Sequence, residues 1–165
     1  MKRITDQLFR QMKELAHQSA LEVDGRIISY KELIEKAMLV ASGLVENGAT
    51  NETIGLVGQR KASSYIGLLG VIFAGCNFTP INPKYNNSRI KSILDGSKIR
   101  YLVGDSSDLL QLDPLLLKSI KAQILPEGKT QTSSSFNFID EKMLANYKAL
   151  PSTRSYNYID LAYIN

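Results

Sequence analysis

Few residues of this 165-residue sequence could carry out nucleophilic or metal-assisted chemistry. Hydrolysis through a serine or cysteine needs a neighbouring base, yet the chain has one histidine, His17, and no G-x-S-x-G turn. One histidine and one cysteine, Cys76, are too few for a structural zinc site, which takes four nitrogen or sulfur ligands. We therefore predict no catalytic and no metal-ligating residue, and interpret His17 as a surface residue and Cys76 as a small buried apolar side chain.

A second candidate is the triplet Gly128-Lys129-Thr130, which has the form of the end of a Walker A phosphate loop. The first glycine of that motif would fall at position 123, which is Gln123, and no convincing helix follows. A G-x-G-x-x-G dinucleotide fingerprint is absent as well. We interpret the triplet as part of a surface loop.

Charge and hydropathy exclude two broad classes of function. The net charge is +4, but basic and acidic residues are interspersed along the chain, so no nucleic-acid footprint is predicted. The longest apolar run, residues 65–76, contains three glycines and is shorter than the roughly 18–20 residues that span a bilayer. With no signal peptide and a single cysteine, the sequence indicates a cytoplasmic protein that does not enter the membrane.

The first part of the chain predicts two helices joined by a hairpin. Apolar residues at helical spacing predict an amphipathic helix over 5–17, and Asp24-Gly25 suits the type I′ turn of a hairpin over 21–28. Ser29 and Glu32 have the spacing of a capping box, in which each side chain binds the other residue's backbone amide. They open a long helix that ends at Gly48, a residue suited to a left-handed C-cap.

Strand and helix patterns then alternate: strands over 54–57, 78–81 and 100–103, with helices over 63–74 and 88–95 between them. This order predicts an α/β fold with a mostly parallel sheet flanked by helices. The helix over 63–74 is apolar nearly all round, so we expect it to be buried between layers. Further on, the pattern predicts a helix over 109–120, strands over 122–125, 136–139 and 158–164, and a polar loop over 129–135.

Three segments resemble the N-terminal part of the adenylate-forming enzymes, which include nonribosomal-peptide adenylation domains, acyl-CoA synthetases and luciferases. The segment from Ser29 to Leu33 is similar to the family's L-[ST]-Y-x-E-L motif. The segment from Leu69 to Pro83 resembles the second core motif, L-K-A-G-x-A-Y-x-P-[LI]-[DN]-P, and is the most specific match. The segment from Asp160 to Ile164 resembles the D-L-A-Y-I strand that leads into the third motif.

The resemblance implies that residues 1–165 form the N-terminal subdomain of an adenylation domain. The family's phosphate-binding loop should begin within a few residues of Ile164, and the adenine-binding motif, the ribose-binding acid and the catalytic lysine lie still further on. We therefore expect this polypeptide alone to need no cofactor and to be inactive. The parent enzyme is expected to use ATP and Mg²⁺ to form an acyl-adenylate, then to pass the acyl group to a thiol.

Substrate and partners are expected to follow from the same resemblance. Pro83, Tyr85, Arg89 and the D-L-A-Y-I segment favour an amino-acid adenylation domain, although the segment from Pro80 to Pro83 is shared with many CoA ligases. Lys84 could face CoA or the phosphopantetheine of a carrier protein, and is the only candidate cofactor-binding residue. The expected partners are the remainder of the enzyme, a carrier protein or CoA, and a second copy bound through exposed sheet surface.

Two other classes remain open from the sequence. One is a stand-alone binding or regulatory module that kept half of an adenylation fold. The other is an unrelated Rossmann-like nucleotide-binding protein, which a different strand order would favour.

Overall fold

The fold is seen in a computed structural model, which describes residues 4–58, 60–129, 137–148, 150 and 152–154. Residues 130–135 of the loop predicted over 129–135, and the strand predicted over 158–164, lie outside these residues. The N-terminal elements are α1 (Ile4–Glu14), β1 (Ser19–Val23), β2 (Arg26–Ser29) and α2 (Tyr30–Glu46). The elements of the central sheet region follow: β3 (Thr53–Val57), α3 (Ala62–Phe73), β4 (Asn77–Ile81), α4 (Asn87–Gly96), β5 (Tyr101–Gly104), α5 (Ser106–Leu109), the 3₁₀ helix η1 (Pro114–Ser119), β6 (Ala122–Ile124), β7 (Phe138–Ile139) and α6 (Glu141–Leu144).

The centre of the molecule is a five-stranded sheet in which every neighbouring pair of strands is parallel. The strand order is β4-β3-β5-β6-β7. Helices cover both faces: α2, α3 and α6 lie on one face, while α4, α5 and η1 lie on the other. The predicted α/β class with a parallel sheet is therefore confirmed.

The N-terminal hairpin and α2 form largely for local reasons. Asp24 and Gly25 both have positive φ, 52° and 75°, as the predicted type I′ turn requires. Ser29 Oγ accepts a hydrogen bond of 3.2 Å from Glu32 N, which caps α2. The reciprocal half of the predicted capping box is wrong, because the Glu32 carboxylate instead contacts the Arg26 guanidinium. Gly48 has φ 84° just beyond the helix, as predicted.

Close packing of α2 against α3 builds the core on the first face of the sheet. Ala37 and Val40 of α2 lie against Gly70 of α3. Gly67, three residues earlier on α3, lies against Val103 of β5. The absence of side chains at both glycines lets α3 approach a helix on one side and the sheet on another. Yet α3 is not wholly buried as predicted, since Tyr65 is 40% exposed.

The helix predicted over 109–120 around Pro114 is confirmed only in part, because α5 ends at Leu109 and the 3₁₀ helix η1 begins at Pro114, with a break between them. Pro114 cannot donate the backbone hydrogen bond that a continuing helix needs, and it holds Asp113 in extended backbone with ψ 123°. Asp113 Oδ1 then accepts from Leu115 N at 2.9 Å and caps η1. Leu109, Leu112 and Leu117 still reach the same apolar cluster beneath the second face of the sheet.

Candidate functional site

Parallel sheets bind ligands outside the carboxyl ends of their strands, so the candidate site is the edge formed by the loops that follow β3, β4, β5 and β6. We call it the carboxyl edge. The loops after β3 and β4 are joined there by a hydrogen bond of 3.3 Å from Gly58 N to Ile81 O. The α3 helix begins at the same edge with Lys61 as its N-cap.

Lys84 lies on the carboxyl edge, in the loop that follows β4. Asn82 shapes this loop, since its Oδ1 accepts from Lys84 N at 3.0 Å and its carbonyl accepts from Tyr85 N at 3.0 Å. The Lys84 side chain is exposed, and among the described residues its ammonium has no hydrogen-bond or ion-pair partner. The structure thus places an exposed ammonium in this loop, and the phosphate-facing role of Lys84 stays a prediction.

The carboxyl edge also carries an ionic cluster that sequence reasoning missed. Lys61 Nζ lies 3.0 Å from Asp105 Oδ1, 3.1 Å from Asp108 Oδ2 and 2.7 Å from Ser107 Oγ. Burial alone would raise the pKa of Asp105, but hydrogen bonds from Ser107 and Lys61 outweigh it and lower that pKa. Burial would likewise lower the pKa of Lys61, yet its interactions with both aspartates raise it. The cluster, which has two carboxylates beside one ammonium, ties the loop after β3 to the turn after β5.

Gly58 explains why the two loops can approach so closely. Its φ is 119°, and a Cβ built on it would stand 2.6 Å from Asp108 Oδ2. Any side chain here would therefore be strained and would also collide with the Lys61 cluster. The available sequence signal was the placement of Lys61 and Asp105 just after two neighbouring strands, whose carboxyl ends a parallel sheet brings together.

A second ionic group, also not predicted from the sequence, joins the hairpin and α2 to the loop after β6 and to α6. Lys36 Nζ lies 2.7 Å from Glu127 Oε1 and 3.2 Å from Glu141 Oε1, and Arg26 Nη1 lies 2.8 Å from Glu127 Oε1. It borders a cleft of about 240 Å³ whose walls include Leu39, Pro126 and Leu144. Since the partners are about a hundred positions apart, no local pattern signals their contact.

Glu141 of this ionic group also argues against a phosphate site at the Walker-like triplet of Gly128, Lys129 and Thr130. Gly128 N donates to Glu141 Oε2 at 3.1 Å, so a carboxylate of the chain itself occupies the amide that a phosphate would need. Burial would raise the pKa of Glu141, but this bond and the Lys36 ammonium lower it. The interpretation of the Gly128 segment as a surface turn is supported by this contact.

The remaining reactive candidates are placed as structural residues. Cys76 is buried at 7% exposure, its Sγ donates to Ala49 O at 3.7 Å, and burial raises the pKa of its thiol. His17 is exposed in the turn after α1 rather than within the predicted helix.

Within the described ranges, no group of histidine, cysteine, aspartate and glutamate side chains could hold a metal ion. No helix in that part of the chain is long and apolar enough to cross a bilayer.

The described residues do not fit ATP or Mg²⁺. The acidic side chains at the carboxyl edge, Asp105 and Asp108, both pair with Lys61, and none of the described loops is a glycine-rich phosphate cradle. We derive no chemical step through either group from this part of the chain.

Comparison with known proteins assigns the fold to a family. The family model described as AMP-binding enzyme matches residues 8–164, and the chain belongs to that family. Surfactin synthase subunit 2 of Bacillus subtilis (strain 168) is 34% identical over 109 residues, covering 62% of this chain and 3% of that protein.

Solved structures that share the fold include a CoA ligase and a peptide synthetase. A benzoate CoA ligase from Burkholderia xenovorans LB400 superposes with a TM-score of 0.77 at 20% identity, covering 95% of this chain and 31% of that one. The nonribosomal peptide synthetase FmoA3, in an AMPPNP-bound form, superposes with a TM-score of 0.72 at 17% identity, covering 92% of this chain and 15% of that one. The chain therefore spans a small part of the length of the relatives it matches.

Proposed function

We propose that this chain forms the N-terminal subdomain of an ATP-dependent enzyme that activates a carboxylate as its adenylate. The observation that carries the proposal is the family match over residues 8–164, together with the segment from Leu69 to Pro83, which folds as the end of α3, a tight Gly75 turn and β4. In this proposal the parallel sheet is the scaffold of the nucleotide-binding domain. The enzyme acts in the cytoplasm, and residues beyond this chain supply the phosphate contacts.

We further propose that the activated substrate is an amino acid. Support comes from the relatives found by sequence, which include subunits of the surfactin and plipastatin synthases at 34% and 31% identity. ATP and Mg²⁺ are the cofactors of the proposed parent enzyme. In this proposal its acceptor is the phosphopantetheine thiol of a carrier protein, and Lys84, exposed in the loop after β4, contacts the phosphopantetheine phosphate.

The second candidate is an acyl-CoA synthetase, with CoA as the acceptor. The sequence feature in its favour is the segment from Pro80 to Pro83, whose form is shared with many CoA ligases. The superpositions on benzoate CoA ligase and on the peptide synthetase FmoA3, with TM-scores of 0.77 and 0.72, do not separate the two candidates. Both solved structures are below 25% identical, so they bear on the fold and not on the substrate.

The test is an exchange assay on the complete product of the gene. ATP and pyrophosphate exchange is measured with the twenty amino acids, then with aromatic and aliphatic carboxylic acids with and without CoA. The proposal expects exchange that depends on an amino acid. Exchange only with a carboxylic acid, followed by CoA consumption, favours the second candidate, whereas a gene product of 165 residues without exchange supports a binding or regulatory module.

The 165-residue polypeptide itself serves as the matched negative control. We expect no exchange from it with any acid, because its described residues do not fit ATP. Exchange by this polypeptide alone would overturn the assignment of a scaffold role.

A further inference from the structure

The cleft between α2 and α6 combines apolar walls with charged residues. The apolar walls are formed by Leu39, Pro126, Leu144 and Ala145. The charged residues that line it are Glu32, Glu35, Lys36 and Glu141. Its volume of about 240 Å³ is below the roughly 300–1,000 Å³ of small-molecule sites, so it suits one long side chain better than a whole ligand. We call it the acidic cleft.

Helical spacing brings the α2 residues of the acidic cleft onto one face. Glu32, Glu35 and Leu39 stand at positions i, i+3 and i+7 of α2. Residues three apart on a helix have Cβ atoms about 5–6 Å from each other. The carboxylates of Glu32 and Glu35 are therefore neighbours, next to an apolar wall.

The acidic cleft carries a surplus of negative charge. Two cations, Arg26 and Lys36, are shared by three carboxylates, those of Glu32, Glu127 and Glu141. Glu35 is exposed and has no hydrogen-bond or ion-pair partner in the described part of the chain. The lining residues and their ion-pair partners thus comprise four carboxylates and two cations, which leaves two negative charges in excess.

The groups of the acidic cleft are charged at neutral pH. Burial would lower the pKa of Lys36, but its contacts with Glu127 and Glu141 raise it. The pKa of Glu141 is lowered, since the hydrogen bond from Gly128 N and the Lys36 ammonium outweigh burial. An incoming cation would therefore meet ionised carboxylates.

Contacts within the chain hold the acidic cleft in shape. Leu144 packs so closely on α2 that a Cβ built on Gly43 would stand 2.6 Å from Leu144 Cδ2. Gly128 N donates to Glu141 Oε2 at 3.1 Å, which ties α6 to the loop after β6. A cleft that is already formed costs little ordering when a partner binds.

We propose that the acidic cleft receives an arginine side chain from a partner polypeptide. The apolar stem of arginine suits Leu39 and Leu144, and its cationic head meets the neighbouring carboxylates of Glu32 and Glu35. A guanidinium is favoured over the ammonium of lysine, because it is more weakly hydrated and its planar fork matches carboxylates. Arginine is also enriched at protein interfaces, where a few side chains that fill pockets carry most of the binding energy.

This inference concerns an interaction surface and does not rest on the adenylating activity. A result against arginine binding leaves the proposed function standing, and absence of ATP and pyrophosphate exchange leaves the interaction surface standing.

A peptide titration on the complete product of the gene tests both charge and place. Acetyl-Ala-Arg-Ala-amide is compared with the same peptide carrying citrulline, which keeps the shape of arginine without its charge. We expect the methyl resonances of Leu39 and Leu144 to shift with the arginine peptide, which should bind at least about fivefold more tightly than the citrulline peptide. The methyl resonances of Leu115, which is 68% exposed on η1, are the control and should not shift.

Two substitutions on α2 separate the acidic cleft from general attraction to an acidic surface. Glu35→Gln removes the unpaired carboxylate without breaking an ion pair of the fold, and should weaken arginine-peptide binding about threefold to fivefold. Glu46 is exposed on the same helix, about 16 Å further along, and Glu46→Gln should leave the affinity unchanged. Equal affinities for the arginine and citrulline peptides, or equal losses in the two variants, would overturn the proposal.

Photo-cross-linking identifies the natural occupant, including one that already fills the acidic cleft and excludes the peptide. Ala145→p-benzoylphenylalanine places the photoreactive group at an exposed residue of the lining. We expect cross-links to a polypeptide segment that contains an arginine, and we expect them to be lost with Glu35→Gln and kept with Glu46→Gln. Cross-links only to segments without arginine, or neither a cross-link nor a peptide-induced shift, would contradict arginine docking.

Discussion

Gly70 of α3 and Val40 of α2 are in such close contact that no side chain fits between them. A Cβ built on Gly70 would stand 2.5 Å from Val40 Cγ1 and 3.0 Å from the carbonyl oxygen of Ala37. Because backbone lies behind the side chain, the contact has little room to relax. This contact determines how closely α3, which begins at the carboxyl edge, packs against α2.

Replacement of Gly70 by alanine should therefore destabilise the protein. Alanine is the better helix former by about 1 kcal/mol, but overpacking costs about 1–3 kcal/mol, and here the clash involves both side chain and backbone. We expect the free energy of unfolding to fall by about 1–2 kcal/mol for Gly70→Ala in urea denaturation. Gly96→Ala is the control, because a Cβ there meets nothing within 4 Å and should raise stability by up to about 1 kcal/mol. A stabilising Gly70→Ala would contradict the packing described.

The buried amide of Gln123 gives a prediction of opposite sign. The residue is 1% exposed on β6, and within the described part of the chain neither Oε1 nor Nε2 has a hydrogen-bond partner. Burying an amide without partners costs about 1–3 kcal/mol, so Gln123→Met, which keeps the shape, should raise the free energy of unfolding by about that amount. Exposed Gln111→Met should change it by less than about 0.5 kcal/mol. A loss of stability in Gln123→Met would mean that the amide is hydrogen-bonded in solution.

The cluster around Lys61 predicts a dependence of stability on acid pH. The pKa of Asp105 lies below its unfolded value of 3.8, so its contribution is full above that pH and is lost as pH falls through the lower, folded value. Asp105→Asn keeps the N-cap of α5 but removes the charge. We expect it to lower the free energy of unfolding by about 0.5–1 kcal/mol at pH 7, because Lys61 is partly exposed, and by less at pH 3.

Urea denaturation at the two pH values measures this difference. Asp95→Asn is the matched control, since that carboxylate is 62% exposed and pairs with the exposed Lys91. The same loss for Asp105→Asn at pH 3 and pH 7 would show that the charge of Asp105 contributes nothing.

Local and repetitive features of the fold could be predicted from the sequence. The strand and helix alternation, the Asp24-Gly25 turn and the Ser29 cap all depend on residues within a few positions of each other. The break at Pro114 was also encoded, as an Asp-Pro pair that caps a new helix, but leucines on both sides gave a stronger helical pattern.

The ionic groups could not be predicted from the same patterns, because they depend on the order of strands. Lys61 meets Asp105 only because β3 and β5 are neighbours, and Lys36 meets Glu127 only because α2 lies over the end of β6. Arg26 also explains why only the Ser29 half of the capping box forms. Its guanidinium pairs with both Glu127 and Glu32, so the Glu32 carboxylate is directed away from the backbone amide of Ser29. The long-range ion pair between Arg26 and Glu127 thus brings Arg26 to Glu32, and the second hydrogen bond of the capping box is lost.

Lys84 is the residue through which the proposed thiol-transfer step can be examined. Its ammonium is exposed on the carboxyl edge, so a contact with the phosphate of CoA or phosphopantetheine would be worth about 1 kcal/mol and would weaken with salt. In the enzyme that contains this chain, Lys84→Ala should raise the KM for the thiol acceptor about threefold to tenfold at low ionic strength, and the difference should shrink at high ionic strength. Lys91→Ala, which removes an exposed cation from α4, should leave that KM unchanged. Equal KM values for the two variants at low salt would remove Lys84 from the acceptor site.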